Sequence, residues 1–251
     1  MLKKILFASL VVMIMGGQIW AQQVSPNTGL PLQLDFGSLV KPAGFSTSIN
    51  LLVIMSLITL VPFFLLSTTA FLRIIIILSL LRQALGTQQT PPNSILISLA
   101  LFMTIFVMTP TFNTVIETSL KPYQDGKMTQ KVAMENAIKP FRQFMIQHVK
   151  EKDLVMFLEF SRIKYTSNIN EVPIYVIIPA FIISELKVAF QIGFLLFIPF
   201  IVIDLIISNI LLSLGMFMLS PAMISLPFKI LLFVLTDGWN LVIRGILLGF
   251  K

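Results

Sequence analysis

From Pro173 to Val242 the chain is almost continuously apolar, yet Glu185, Lys187, Asp204, Lys229 and Asp237 lie inside that run. The stretch FLLFIPFIVIDLIISNILLSLGMFML, Phe194 to Leu219, carries Asp204 as its sole charged residue. A charge at the centre of a bilayer costs roughly 2.5 to 3.5 kcal/mol on insertion scales, so such groups face protein, water or one another. The run therefore describes a membrane-inserted protein whose charges require partners.

Hydrophobic residues make up 56% of the 251 positions and charged residues 12%, with a mean hydropathy of +0.93. Soluble domains are about half apolar and about a quarter charged. The long runs are built from Leu, Ile, Phe and Met without the period-two alternation of a transmembrane barrel. Helices satisfy their own backbone groups in lipid, so the expected class is an all-α membrane protein. The net charge is +7, but Lys and Arg are dispersed among acids without a basic stripe or aromatic platform, which argues against nucleic acid. The chain has no cysteine, which excludes disulfides, thiolate metal sites and a thiol nucleophile.

Met1 to Ala21 begins with Lys3 and Lys4, continues with an apolar run from Ile5 to about Met15, and reaches Gly16, Gly17 and Ala21. This is the layout of a signal peptide over residues 1–21, although Ile19 replaces the preferred small residue near the cleavage point; an uncleaved first helix is the alternative. Residues 22–48, dense in Pro and Gly, read as an irregular extracytoplasmic lead-in. Residues 49–110 read as a first apolar hairpin. Within it, Ile49 to Leu81 exceeds the roughly 20 residues one span needs, and is broken by Pro62 and Arg73. Ser94 to Met108 forms a second apolar helix ending at Pro110.

Residues 111–172 are expected to form a charged, extramembrane helical segment; Glu117 to Glu171 holds more than half of all charged residues. Met134, Ile138, Phe141, Met145 and Val149 recur at steps of three and four and line one helix face, with a kink expected at Pro140. Residues 173–251 must then supply at least two more long helices, with the turn at Ser208 to Gly215 or at Met216 to Pro221. A cleaved leader places the charged segment outside the cytoplasm, and loops near 60 residues follow the positive-inside rule only weakly.

No catalytic constellation stands out. His148 is the only histidine; beside Lys150, Glu151 and Lys152 it reads as a solvated surface residue. There is no phosphate-cradling glycine loop and no nucleophile elbow, and neither metal nor organic cofactor is expected. Asp204 and Asp237 are candidates for an intramembrane acid pair without a supporting motif, and Asp237-Gly238 reads more simply as a polar turn at a helix end.

The charges inside apolar sequence are the candidate site residues. Arg73 either snorkels from a helix end or pairs inward with Glu185 or Asp204. Glu185 and Lys187, two apart, point to different sides of a helix and need separate partners. Lys229 either neutralises Asp204 across a helix pair or meets water at an interface, and pairing is the preferred reading. Met216, Phe217 and Met218 lie between Gly215 and Pro221. They are either ordinary packing at a turn or a deformable seal made of adaptable side chains.

Four segments together resemble the FliP family, the flagellar type III export-gate component related to the injectisome SctR subunits. They are LRQALGTQQTPPN at Leu81 to Asn93, LALFMTIFVMTP at Leu99 to Pro110, PAFIISELKVAFQIGF at Pro179 to Phe194, and LPFKILLFVLTDGW at Leu226 to Trp239. FRQFMIQHVKEKDLVMF, Phe141 to Phe157, is similar to that family's extramembrane segment. The resemblance implies a non-enzymatic homo-oligomer of stacked helical hairpins. It would assemble with FliQ-like and FliR-like subunits and other export apparatus proteins into a conical gate at the inner membrane, with much of the assembly toward the periplasmic side. Unfolded flagellar subunits would pass through it. The family's methionine-rich gasket falls on Met216, Phe217 and Met218, with Phe217 where a third methionine is common. Arg73, Glu185, Lys187, Asp204 and Lys229 would then be buried at subunit or helix interfaces.

Rival readings make different demands. A secondary transporter would gather Arg73, Glu185 and Asp204 at a midplane site, but no inverted repeat is visible. A non-conducting scaffold differs from a gate only at Met216 to Met218.

Overall fold

The computed structural model describes residues 62–64, 66–87, 89–161 and 172–250, with Leu52, Met55, Ser56, Thr59 and Leu60 ahead of them. The chain divides after Met55, and the elements below all belong to the second unit. The expected leader and lead-in, residues 1–48, lie outside the described residues, as does half of the stretch 49–66, part of the run where a kink or hairpin is expected.

Every regular element among the described residues is helical. In chain order these are α1 (Phe71–Leu85), α2 (Asn93–Val115), a π-helical turn (Ile116–Leu120) and α3 (Lys121–Gln124). After them come α4 (Gln130–His148), α5 (Glu151–Phe160), α6 (Ile174–Ser213), α7 (Pro221–Leu235) and α8 (Gly238–Leu248). Two helices are long and apolar enough to cross a membrane, Asn93–Gln124 and Ile174–Ser213, and α7 with α8 forms a further apolar pair bent by 65°. The protein is an all-α membrane protein.

α2 does not stop at Pro110 as expected. It continues to Val115 and through the π turn into α3. Pro110 lacks an N–H, but in an apolar surround a continued helix leaves fewer backbone groups unpaired than a broken one. The same reasoning covers α6, which contains Pro179 and Pro199; α4 also keeps its helical run through Pro140. At 1.5 Å per residue, the 40 residues of α6 extend about 60 Å, roughly twice the hydrocarbon thickness of a bilayer.

The core forms on the first half of α6. Ile74, Ile77, Leu78 and Leu81 of α1 pack there against Ile177, Ala180 and Phe181 of α6, joined by Met145 of α4 and Leu154 and Leu158 of α5. Gly193 permits a close approach of α1 to α6: a Cβ there would lie 2.2 Å from Leu80 Cδ1. The expected apolar face of α4 is buried only toward its end. Met145 is buried and Phe141 and Val149 pack on the core, whereas Met134 and Ile138 are exposed.

Candidate functional site

α6 ends in a Schellman motif. Leu214 is the cap, Gly215 has φ 72°, Met216 N–H donates to Leu211 O at 3.0 Å and Gly215 N–H to Leu212 O at 3.1 Å. α7 restarts with Ser220 as N-cap and Pro221 in its first turn. The turn therefore occupies Leu214 to Ser220. On it Met216 is 47%, Phe217 78% and Met218 100% exposed. Three adaptable apolar side chains stand at the tip of an α6/α7 hairpin without a covering element among the described residues.

Below the tip the hairpin is braced by charge. Lys229 Nζ of α7 donates to Asp204 Oδ2 of α6 at 2.6 Å, and Ser225 Oγ donates to Asp204 Oδ1 at 2.5 Å. Lys229 also donates to Ala84 O at 3.3 Å, placing a cation on one of the free carbonyls that end α1. Lys229 is buried while the Asp204 side chain keeps 35% exposure.

A second pair lies farther back along α6. Arg73 Nε donates to Glu185 Oε2 at 2.6 Å and Nη2 to Oε1 at 2.5 Å. This is a bidentate fork between side chains 4% and 0% exposed. Arg73 Nη1 donates to Gly249 O at 2.8 Å, so this arginine faces protein rather than snorkelling to a helix end.

Lys187 departs from the expectation of a buried charge. Its side chain is 46% exposed, because two residues beyond Glu185 it lies on another side of α6. The buried member of its pair is Asp153 of α5, which accepts from Lys187 Nζ and, at 2.8 Å, from Ser184 Oγ. Lys150 N–H donates to Ser184 Oγ at 3.0 Å. The α5 N-cap, Lys150, has no side-chain cap of its own, so Ser184 supplies one from α6. Burial opposes ionisation of Asp153, but hydrogen bonds from Lys187 and Ser184 and the nearby positive charges outweigh it, and its carboxyl is held below the usual carboxylate range.

The remaining candidates fall elsewhere. Asp237 is exposed, with φ 49°, and N-caps α8, as the reading of Asp237-Gly238 as a turn anticipates. His148 is half-buried rather than solvated: its ring packs on Phe144 and Phe250, and Nδ1 lies 2.8 Å from Phe144 O. No group of three His, Cys, Asp or Glu side chains converges among the described residues. Reading the sequence missed Asp153, Ser184 and Ser225. Ser225 had a signal, one helical turn before Lys229 and so on its face. Asp153 had none, being one acid among many in a charged segment.

The hairpin and its ion pairs fall within a region, residues 54–246, that matches the sequence profile described as FliP: FliP family. The flagellar biosynthetic protein FliP of Bacillus subtilis (strain 168) is 44% identical over 209 residues, 83% of this chain and 95% of the relative. That of Cereibacter sphaeroides is 51% identical over 199 residues, 79% of this chain and 66% of the relative. That of Caulobacter vibrioides is 49% identical over 203 residues, 81% and 76% of the two chains. A profile spanning most of the chain and relatives at these identities agree that this chain belongs to the FliP family.

Proposed function

We propose that this chain is a core subunit of the flagellar protein-export gate in the bacterial inner membrane, and that Met216, Phe217 and Met218 form part of an apolar seal displaced by a passing unfolded chain. The observation that carries the reading is the α6/α7 tip, where these side chains are presented to the outside on a charge-braced hairpin. Methionine repacks at low strain, which suits a closure that excludes ions and water yet yields to a polypeptide. The name shared by the relatives, flagellar biosynthetic protein FliP, supports the flagellar assignment.

In this reading several copies assemble with FliQ-like and FliR-like subunits and other export apparatus proteins. The charged α3 to α5 segment lies toward the periplasmic side. The chain does no chemistry of its own, and energy comes from partner proteins and the proton motive force. A midplane transport site is disfavoured because Arg73 and Glu185 satisfy one another, while Asp204 sits about 28 Å farther along α6 and is committed to Lys229 and Ser225. The same commitment weighs against an acid pair of Asp204 with Asp237.

The test is ion leakage and flagellin export in cells carrying Met216→Ala, Phe217→Ala and Met218→Ala together, with assembly followed on a native gel. Leakage with intact assembly is expected. A tight membrane with normal assembly would return the three residues to plain packing and the chain to a scaffold role.

A further inference from the structure

α7 and α8 form a bent strap fastened to α1 at two points. Near the end of α1, Lys229 holds Ala84 O; near its start, Gly249 O accepts from Arg73 and the Arg73 guanidinium carbon lies 4.0 Å from the centroid of the Phe250 ring. The two anchor points on α1 are about 17 Å apart along its axis, whereas a straight helix from Lys229 to Phe250 would extend about 32 Å. The elbow between α7 and α8 shortens that span. It is tightly packed: a Cβ at Gly238 would lie 2.2 Å from the Phe233 ring, and that ring meets Trp239 edge-on at 5.4 Å.

The hold on α8 itself is thin: only Gly238, Val242 and Ile246 are buried. Phe250 adds far more connections. Beyond Arg73, its ring stacks on Phe144 at 6.4 Å and packs on His148 at 5.5 Å, and it borders a cavity of about 230 Å³ between α2 and α4. One ring thus touches the cation of the buried pair on α1 and α6 and the aromatic residues that end α4, with free volume beside it.

We propose that Phe250 is a latch. Its ring face lies against the Arg73 guanidinium that Glu185 already holds, and that contact docks α8 onto the body of the chain. Electrostatic attraction between guanidinium and ring, and not apolar bulk alone, makes the latch. The inference concerns the chain's own packing and stands whether or not Met216 to Met218 form a seal.

Hydrogen exchange of the full-length protein in detergent tests it, comparing Phe250→Leu with Phe250→Tyr. Leucine keeps apolar volume without a ring; tyrosine keeps the ring. The latch requires Phe250→Leu to raise exchange across Trp239–Leu248 roughly fivefold, with Ile177–Ala189 unchanged, and Phe250→Tyr to restore protection. Equal protection in both variants would overturn the proposal, since packing would then suffice. Should Phe250→Leu fail to fold, Phe250→Met decides, because it keeps apolar volume without a ring and leaves the Arg73 hydrogen bond to Gly249 O in place. Faster exchange confined to α8 would support the latch, and unchanged α8 exchange would end it.

Discussion

The two halves of α6 are nearly alike in composition and opposite in surroundings. Ile174 to Gly193 is covered by α1, α4 and α5, and buries Val176, Ile177, Ala180, Phe181, Ser184, Glu185, Ala189 and Gly193. Phe194 to Ser213 buries only Phe200 and Leu211, and exposes Phe194, Leu195, Ile198, Ile201, Val202, Leu205, Ile206 and Ile210. The bare half is about 30 Å long, one bilayer core. Hydropathy marks both halves as membrane-like, but among the described residues the second is covered only where it meets α7. A charge in the covered half can therefore be fully enclosed, as Glu185 is, whereas Asp204 in the bare half stays partly open and needs Lys229 from the returning helix.

The contrast breaks most visibly at Glu185. Glu185→Ala leaves the Arg73 charge buried and unpaired, and a loss of about 3 to 5 kcal/mol is expected in thermal unfolding of the detergent-solubilised chain; a loss below about 1 kcal/mol would show that water reaches the covered half. Truncation compares the halves directly. Ile177→Ala is expected to cost about 2 to 5 kcal/mol, whereas Ile201→Ala should stay within about 0.5 kcal/mol. Equal costs would mean that another copy still covers the second half in detergent.

Lys229→Met should cost about 1 to 2 kcal/mol, less than Glu185→Ala because Asp204 retains access to solvent. Combined with Asp204→Asn, the loss should fall short of the sum of the two single losses; strict additivity would remove the pair.

The smallest effect concerns pH. The carboxyl of Asp153 is lowered in the folded chain, so its contribution is present above the unfolded carboxylate pKa of about 3.9 and is lost as pH falls through the lower folded value. Stability should therefore fall on acidification below about pH 4, and Asp153→Asn should flatten that fall. An unchanged slope would place the acid sensitivity at other carboxylates.

Much of the architecture was legible because its causes are local. Long apolar runs declare helices, Gly215 with Pro221 marks the hairpin tip, and Asp237-Gly238 marks the elbow. Proline misled at Pro110, where the chain continues as helix because an interrupted backbone in apolar surroundings would leave more groups unpaired. Lys187 misled because an apolar neighbourhood in sequence does not reveal which side of a helix is covered.

The sequence by itself determined that this is a helical membrane protein, that Glu185, Asp204 and Lys229 must find partners, and that Met216, Phe217 and Met218 stand between two helices. Those conclusions follow from transfer cost and backbone preference, which act residue by residue. Only the tertiary structure decided that Arg73 meets Glu185 rather than Asp204, that Asp153 takes Lys187 and Ser184, and that Phe250 closes over Arg73. Each joins elements far apart in the chain, and the register of one helix on another depends on how whole surfaces pack, which spacing within either helix does not encode.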